Sequence, residues 1–431
     1  MTTQGNKMHP ISSASIESLP NELLLPILEA CAAPSLFSVC RRWRHLLATE
    51  VMPSLYKKIA QLHFPRGSAS TKQTLLLAEV YQLNPVLTFT EKVYQVFKQV
   101  FTLAKSISPL EFKEKTKEKR GLTLANYSSY LLNINRLLLW KKLPGGEEYL
   151  SREEIKHLPL EKKGVLLRDW IEENCKDLTF LNLSNAGLTY LPSEICQLSQ
   201  LRWLYLNQNQ LTSLPGEIGQ LFQLQRLELN QNQLANLPNE IGHLFQLRTL
   251  DLNQNQLTAL PTEIGQLSQL QRLYLNQNQL TSLHGEIGQL SQLKELDLNQ
   301  NQLISLPGEI GQLFQLLALY LNQNQLTNLP VEIGQLFQLQ RLKLSQNQLT
   351  SLPAEIGQLS QLKELDLREN QLTNLPAEIG QLSELLWLYL NQNQLTALPA
   401  EIGRLSQLQT LELAENPLKD IAEKIRQRFQ L

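Results

Sequence analysis

The chain has little of what small-molecule chemistry usually needs. Its 431 residues include four cysteines, Cys31, Cys40, Cys175 and Cys196, too few and too scattered for a disulfide framework. They read as ordinary thiols of a reducing compartment. Six histidines, His9, His45, His63, His157, His243 and His284, are too dispersed to suggest a metal site. Charged residues make up 18% of the chain, and the formal net charge is −1. A nucleic-acid or membrane-surface protein would need a basic field that this balance does not supply. No apolar run approaches the roughly 18 residues of a membrane span. The polar start, Met1 to Pro10, lacks the apolar stretch of a secretory signal peptide. Gly145-Gly146 is not followed by Lys-Ser or Lys-Thr, so there is no phosphate loop. His-Glu-x-x-His and the nucleophile elbow are also missing. These absences lead to the expectation of a cytoplasmic non-enzyme without metal or cofactor, and without nucleic-acid or membrane partners.

What fills the chain instead is repetition. Leu201-Arg-Trp-Leu204-Tyr-Leu206-Asn-Gln-Asn209-Gln-Leu211 opens a unit that continues through Leu214-Pro215-Gly-Glu-Ile218-Gly-Gln-Leu221. The unit returns from Leu224, 23 residues on, and again from Leu247, Leu270, Leu293, Leu316, Leu339, Leu362 and Leu385. A degenerate copy at Leu178 and a truncated one at Leu408 make eleven. Period and pattern, L-x-x-L-x-L-x-x-N-x-L, resemble the leucine-rich-repeat class, which implies an α/β solenoid with a curved parallel sheet. Solenoids of this kind are usually binding surfaces.

Each position in the unit has a predictable place. Leu204 and Leu206 alternate with Tyr205 and Asn207, which is strand periodicity. The leucines face the core and the alternates face the concave side. Asn209 and its equivalents, from Asn232 to Asn416, are flanked by core leucines and must be buried and bonded. They are expected to bridge backbone groups of their own turn and the next, as a ladder. Ala186 takes that place in the first unit, as suits a terminal repeat, and His284 replaces a turn proline. Phe222 with Phe245, and Phe314 with Phe337, occupy a slot that is otherwise Ser, and neighbouring rings there are expected to stack.

Because the scaffold barely changes, the residues that vary on the concave face stand out. The strand centres include Tyr205, Glu228, Asp251, Tyr274, Asp297, Tyr320, Lys343, Asp366 and Tyr389. Two positions earlier stand Trp203, Arg226, Arg272, Arg341 and Trp387. Exposed Trp, Tyr and Arg dominate interface energetics, and Trp beside Tyr has no folding benefit on a solvated sheet face. These fourteen residues are the candidate partner-binding face. The rival reading is that duplication copied Tyr and Asp with no ligand in view.

The chain before the repeats divides by pattern. Residues 1–15 read as a disordered lead, 16–60 as a Leu-rich helical block and 61–150 as a helical connector. Residues 151–177 read as an amphipathic helix capping the open end of the solenoid, and 178–431 as the repeats with a C-terminal cap. Tyr127 to Trp140 is apolar at helical spacing and is broken at Leu143-Pro-Gly-Gly146. The charge-alternating run Lys113 to Arg120 reads as a solvated segment. Asp420 to Gln430 is expected to be a helix closing the far end.

In the first block, Leu19-Pro20-Asn-Glu-Leu23-Leu24 leads to Ile27-Leu28, and Val39-Cys40-Arg-Arg-Trp43 follows. These residues resemble the F-box over about 45 positions. From Leu28 to Val39 the chain is a few residues shorter than the usual pattern, so the intervening turn must be tight. Proteins of that family dock on the Skp-type adaptor of cullin–RING ubiquitin ligases. The resemblance implies that Leu19, Pro20, Leu23, Leu24, Ile27 and Leu28 meet the adaptor, supported by Val39, Cys40 and Trp43. A plain helical hairpin packed on the following helices is the other reading.

An F-box joined to near-identical Leu-Pro-x-Glu-Ile-Gly-x-Leu repeats is similar to effectors of bacteria that live inside eukaryotic cells, which would place the chain in a host cytosol. The resulting expectation is a non-catalytic substrate receptor: a Skp-type adaptor at one end, an unknown protein on the concave face. The alternative is an interaction scaffold with no ubiquitin link. Cys175-Lys176-Asp177 matches a short Cys-x-Asp element of bacterial leucine-rich-repeat ubiquitin ligases. Here it sits between the cap helix and the first strand, and is read as packing.

Overall fold

The structure, a computed structural model, describes residues 20–31, 37–63, 70–107, 124–419 and 423–429. Residues 1–15, Leu19, the run Lys113 to Arg120 and part of the turn between Leu28 and Val39 lie outside the described residues. The backbone at Leu23 is helical, but its side chain falls outside as well. Two compact units divide the described residues. The first takes in 20–62, 70–107 and 124–130, the second His63, 131–419 and 423–429.

The first unit is all helical: α1 (Asn21–Cys31), α2 (Arg41–Leu46), a π turn (Leu47–Val51), α3 (Met52–His63), α4 (Ser70–Val80), α5 (Phe89–Ile107) and the start of α6 (Leu124–Lys142). Leu24 and Leu28 are four apart, share one face of α1 and are buried. α1 packs on the π turn. The Cys40 sulfur caps α2 by accepting from the Trp43 N–H at 3.4 Å. The Tyr81 and Tyr127 hydroxyls hydrogen-bond at 2.5 Å in the core. Rings pack around them, with Phe97–Tyr127 centroids at 5.3 Å and Phe101–Tyr130 at 5.1 Å.

The second unit begins with the rest of α6. Gly145, at φ 76°, makes the left-handed turn that favours glycine between that helix and the next. Three helices follow, α7 (Gly146–Ser151), α8 (Glu153–Lys156) and α9 (Leu160–Asn174). The amphipathic pattern from Arg152 is thus divided. Pro159, extended at the N-cap of α9, disfavours helix at the residue before it. Trp140, Tyr149 and Trp170 pack their rings together, with centroids 5.3–5.9 Å apart.

Eleven three-residue strands then form one parallel sheet in chain order: β1 (Phe180–Asn182), β2 (Trp203–Tyr205), β3 (Arg226–Glu228), β4 (Thr249–Asp251), β5 (Arg272–Tyr274), β6 (Glu295–Asp297), β7 (Ala318–Tyr320), β8 (Arg341–Lys343), β9 (Glu364–Asp366), β10 (Trp387–Tyr389) and β11 (Thr410–Glu412). Each connection returns through a 3-10 turn. Pro sits extended before that turn, at φ near −67°, and His284 holds φ −78° in the same place. The core is a stack of leucines with one isoleucine per turn.

The asparagine ladder is present with full geometry. Asn301 Nδ2 donates to Leu298 O (3.1 Å) in its own turn and to Leu275 O (2.9 Å) in the turn before. Its Oδ1 accepts from the Leu280 N–H at 3.0 Å. The same pattern runs from Asn209 to Asn416. The residue before each ladder asparagine is left-handed, and it is Gln in most units, as at Gln277 (φ 56°) and Gln300 (φ 54°). Glutamine there costs on the order of 1 kcal/mol, and the bonds on either side hold it. The glycine of Glu-Ile-Gly has a different reason. A Cβ on Gly311 would come within 2.5 Å of the Glu332 carbonyl oxygen of the next turn.

Both ends of the solenoid are closed. α9 packs on the first 3-10 turn. α6 contributes too, a role the sequence pattern had not assigned to it. Asn135 Oδ1 accepts from the Thr189 and Tyr190 N–H groups at 2.9 and 3.2 Å. Arg136 pairs with the buried Glu194 at 2.5 Å. At the far end α10 (Glu423–Phe429) lies within the expected segment, and Arg428 donates to Ser406 O and Leu408 O at 3.0 and 2.9 Å.

Candidate protein-binding face

The strand register fixes the candidate residues in two parallel rows. Trp203 stands opposite Arg226, and Tyr205 opposite Glu228. Thr249 stands opposite Arg272, and Asp251 opposite Tyr274. Ala318 stands opposite Arg341, and Tyr320 opposite Lys343. Trp387 stands opposite Glu364, and Tyr389 opposite Asp366. In every strand the middle leucine is buried and its neighbours point the other way.

Most charges on this face are paired within the chain. Arg226 Nε donates to Glu228 at 2.6 Å. Lys343 lies 3.0 Å from Glu364. Arg368 makes two bonds to Asp366, at 2.9 and 2.7 Å. Tyr274 donates to Glu295 at 3.0 Å. Burial, aided by that carboxylate, pushes the Tyr274 phenol up to about 12. Burial also holds the Asp251 and Asp297 carboxyls above their usual range. Arg341 has no ion pair among the described residues.

A second asparagine ladder runs just past the strands, and the sequence reading had not singled it out. Asn207 Oδ1 accepts from the Asn230 N–H at 3.0 Å, and Asn253 and Asn299 do the same for the next unit at 2.7 Å. Where the last residue of the strand is aspartate, its own carboxylate takes that N–H. Asp251 bonds Asn253 N (3.0 Å), Asp297 bonds Asn299 N (3.0 Å) and Asp366 bonds Arg368 N (3.2 Å). One consequence is visible: Asn276 Oδ1 has no hydrogen-bond partner, because Asp297 has taken the N–H it would have met. These three aspartates therefore have a folding role of their own, and Asp366 is only 1% exposed.

Besides Arg341, the Trp-Tyr pairs toward the ends of the rows make no side-chain hydrogen bond among the described residues. Trp203 is 39% exposed. Tyr205 meets Phe180 edge-on at 5.4 Å and lies under the Arg226 guanidinium at 5.9 Å. Near the other end Trp387 and Tyr389 are half-buried, with Arg368 5.1 Å over the Tyr389 ring.

Elsewhere, Phe222, Phe245, Phe314 and Phe337 are each about half exposed, and no ring contact within either pair is found among the described residues. The expected stacking is not found among the described residues, and the four rings face solvent. Of the nine residues singled out in the first block, Pro20, Ile27 (36%) and Val39 (47%) are exposed. Leu24, Leu28 and Trp43 are buried, and Cys40 is half-buried under its cap bond. Cys175 is buried, and burial pushes its thiol up, which makes it a poor nucleophile at neutral pH. Among the described residues no His, Cys, Asp or Glu group could hold a metal, and no helix is long and apolar enough to cross a membrane.

Comparison with known families agrees with the repeat geometry. A family model described as a leucine-rich repeat region matches residues 215–285 and 331–431, and two further leucine-rich-repeat models match 176–234 and 292–313. The chain belongs to the leucine-rich-repeat proteins. Among solved structures, a leucine-rich-repeat protein of Leptospira interrogans is 41% identical, covering 59% of this chain and 82% of that one, with a TM-score of 0.40. A plant peptide hormone receptor in complex with RGF2 is 31% identical over 57% of this chain, with a TM-score of 0.47. This leucine-rich-repeat protein spans 45% of that receptor. An internalin of Listeria monocytogenes is 24% identical over 60% of this chain and 86% of its own, with a TM-score of 0.43. No curated protein matches the chain. The fold is in general a non-catalytic scaffold for protein interaction.

Proposed function

We propose that this leucine-rich-repeat protein is a non-catalytic substrate receptor. Its concave face captures a protein, and its first helical block, residues 16–60, docks on a Skp-type adaptor of a cullin–RING ubiquitin ligase. The observation that carries the capture half is a Trp-Leu-Tyr strand near each end of the face, with Trp203 exposed and Tyr205, Trp387 and Tyr389 half-buried, beside charges most of which are bonded within the chain. The docking half is supported by the order of F-box-like residues, with Pro20, Ile27 and Val39 at the surface over buried Leu24, Leu28 and Trp43. Ubiquitin is then transferred by other subunits. Binding raises the effective concentration of substrate lysines near the charged conjugating enzyme. A bacterial effector working in a host cytosol fits this reading.

Capture of a purified Skp-type adaptor by the full chain tests it. Leu24 is buried and unsuited to a surface test. Ile27→Asp with Val39→Asp is expected to weaken adaptor binding by about tenfold or more, with the melting temperature held within about 3 °C. A wild-type chain that ignores the adaptor removes the ligase and leaves the interaction scaffold. On the other face, Trp387→Ala with Tyr389→Ala is expected to weaken partner capture about 30-fold, since each is of the residue type that anchors interfaces.

A further inference from the structure

The Trp-Leu-Tyr strand occurs twice, as β2 and β10, and the structure builds nearly the same frame around both. In each, the asparagine two residues past the tyrosine donates to a glutamate on the following strand. Asn207 bonds Glu228 at 2.8 Å, and Asn391 bonds Glu412 at 2.7 Å. In each, the same asparagine accepts from a backbone N–H of the next unit, at 3.0 and 3.1 Å. The registers are equivalent: Tyr205 stands opposite Glu228, and Tyr389 opposite Glu412.

On the following strand the two frames differ beside the tryptophan. Opposite Trp203 stands Arg226, and opposite Trp387 stands Thr410. Arg226 occupies its frame. Its guanidinium bonds the Glu228 carboxylate at 2.6 Å and lies over the Tyr205 ring at 5.9 Å. The β10 frame keeps the tryptophan, the tyrosine and the oriented carboxylate, but its following strand has Thr410 in place of the arginine. Arg368, two residues past β9, lies 5.1 Å over the Tyr389 ring and is held by two bonds to Asp366, with no bond to Glu412 among the described residues. Among the described residues Glu412 has no ion pair.

We propose that Trp387, Tyr389 and Glu412 form a seat for an arginine side chain of the bound polypeptide, in the place that Arg226 occupies at the other end. The proposal deepens the reading of the concave face as a protein-binding surface and rests on it. A planar guanidinium suits the site because it can stack on an aromatic ring and bond a carboxylate at once. Asn391 holds that carboxylate in position beforehand, so little freedom remains to be lost on binding.

The test uses the full chain and two probes, the peptide acetyl-Ala-Arg-Ala-amide and its neutral citrulline counterpart. The readout is the indole N–H resonances of Trp203 and Trp387, assigned by Trp→Phe variants. The arginine peptide is expected to shift Trp387 and not Trp203; the citrulline peptide is expected to shift neither. Glu412→Gln should weaken the response about tenfold, the loss of one charge-assisted bond. Thr410→Arg should silence Trp387 by filling the seat from within, at an unchanged melting temperature. Arg226→Thr should empty the other frame and make Trp203 respond. Equal shifts with citrulline, equal shifts at both tryptophans of the wild type, or a full Trp387 response in a folded Thr410→Arg chain would each overturn the proposal. The two readings fail separately. Partner capture that survives loss of Trp387 and Tyr389 removes the concave-face reading, whereas capture that needs them without any arginine-peptide response removes the seat alone.

Discussion

Asn301 and Tyr127 are both buried polar side chains, and they stand for two ways of holding a chain together. Asn301 is one rung of a ladder repeated from Asn209 to Asn416. Its partners are backbone groups, so the same bonds recur whatever the neighbouring side chains are. Tyr127 has a partner that occurs once, the hydroxyl of Tyr81, inside a set of rings with no internal period. In the repeats, position within the unit sets each residue's task. In the first helical unit, only the assembled packing does. Damage should therefore differ in kind: position along the solenoid decides the cost in one case, chemistry at a single pair in the other.

The sharpest break in the comparison is an interior rung against a terminal one. Asn301→Ala leaves the Leu280 N–H and the Leu275 and Leu298 carbonyls without their side-chain partner in a dry site. A loss of about 3–5 kcal/mol is expected. Asn416 makes the equivalent bonds but is half exposed, so water can take them over, and Asn416→Ala should cost about 1–2 kcal/mol. Chemical denaturation of both variants decides. Equal losses would mean that position in the stack is irrelevant.

Next in size is a pair of glycines. Gly311→Ala drives a Cβ against the Glu332 carbonyl and should cost about 2–3 kcal/mol. Gly403, in the last full unit, has nothing within 4 Å of the same Cβ, and Gly403→Ala is expected to be neutral or slightly stabilising. Thermal melting of the two single variants separates them.

The smallest effect belongs to the helical unit. Tyr127→Phe removes one hydroxyl pair and should cost about 1–2 kcal/mol. Its pH dependence is more diagnostic. Burial raises both phenols above their ordinary value of 10, and for Tyr127 the neighbouring Tyr81 raises it further. A raised folded value means that the contribution is whole below pH 10 and is lost as pH climbs through the raised values. Spectrophotometric titration of the wild type against the Tyr81→Phe and Tyr127→Phe variants should show both phenols un-ionised until the unit unfolds. Two early, reversible ionisations at Tyr81 and Tyr127 would contradict their placement.

The same contrast explains what could be read from the chain alone. The eleven strands, the buried leucines and the Asn209-type ladder were legible because each signal was repeated in register. The left-handed glutamines were not, since Gln277 carries no local mark of φ 56°. It is held there by bonds on either side. Asp251, Asp297 and Asp366 were legible as variable residues, but their bonds to the N–H two residues on depend on which side chain stands at the last strand position. Asn135 was hidden for the opposite reason: one residue on a helix, with a partner 54 positions away. In the first block, helical spacing put Leu24 and Ile27 in one pattern, but only packing separates the buried one from the exposed one.

The identity of successive units has a further consequence. β2 and β10 lie eight strands apart, and each interior turn between them meets its neighbours through the same bonds. The reach from one Trp-Leu-Tyr strand to the other is therefore counted in whole units. A gene that gains or loses one 23-residue block would lengthen or shorten that reach by about 5 Å along the sheet while leaving both ends as they are. The molecule carries its own ruler, graduated in strands, and partners of different length could be met by recombination alone, without a single new side chain.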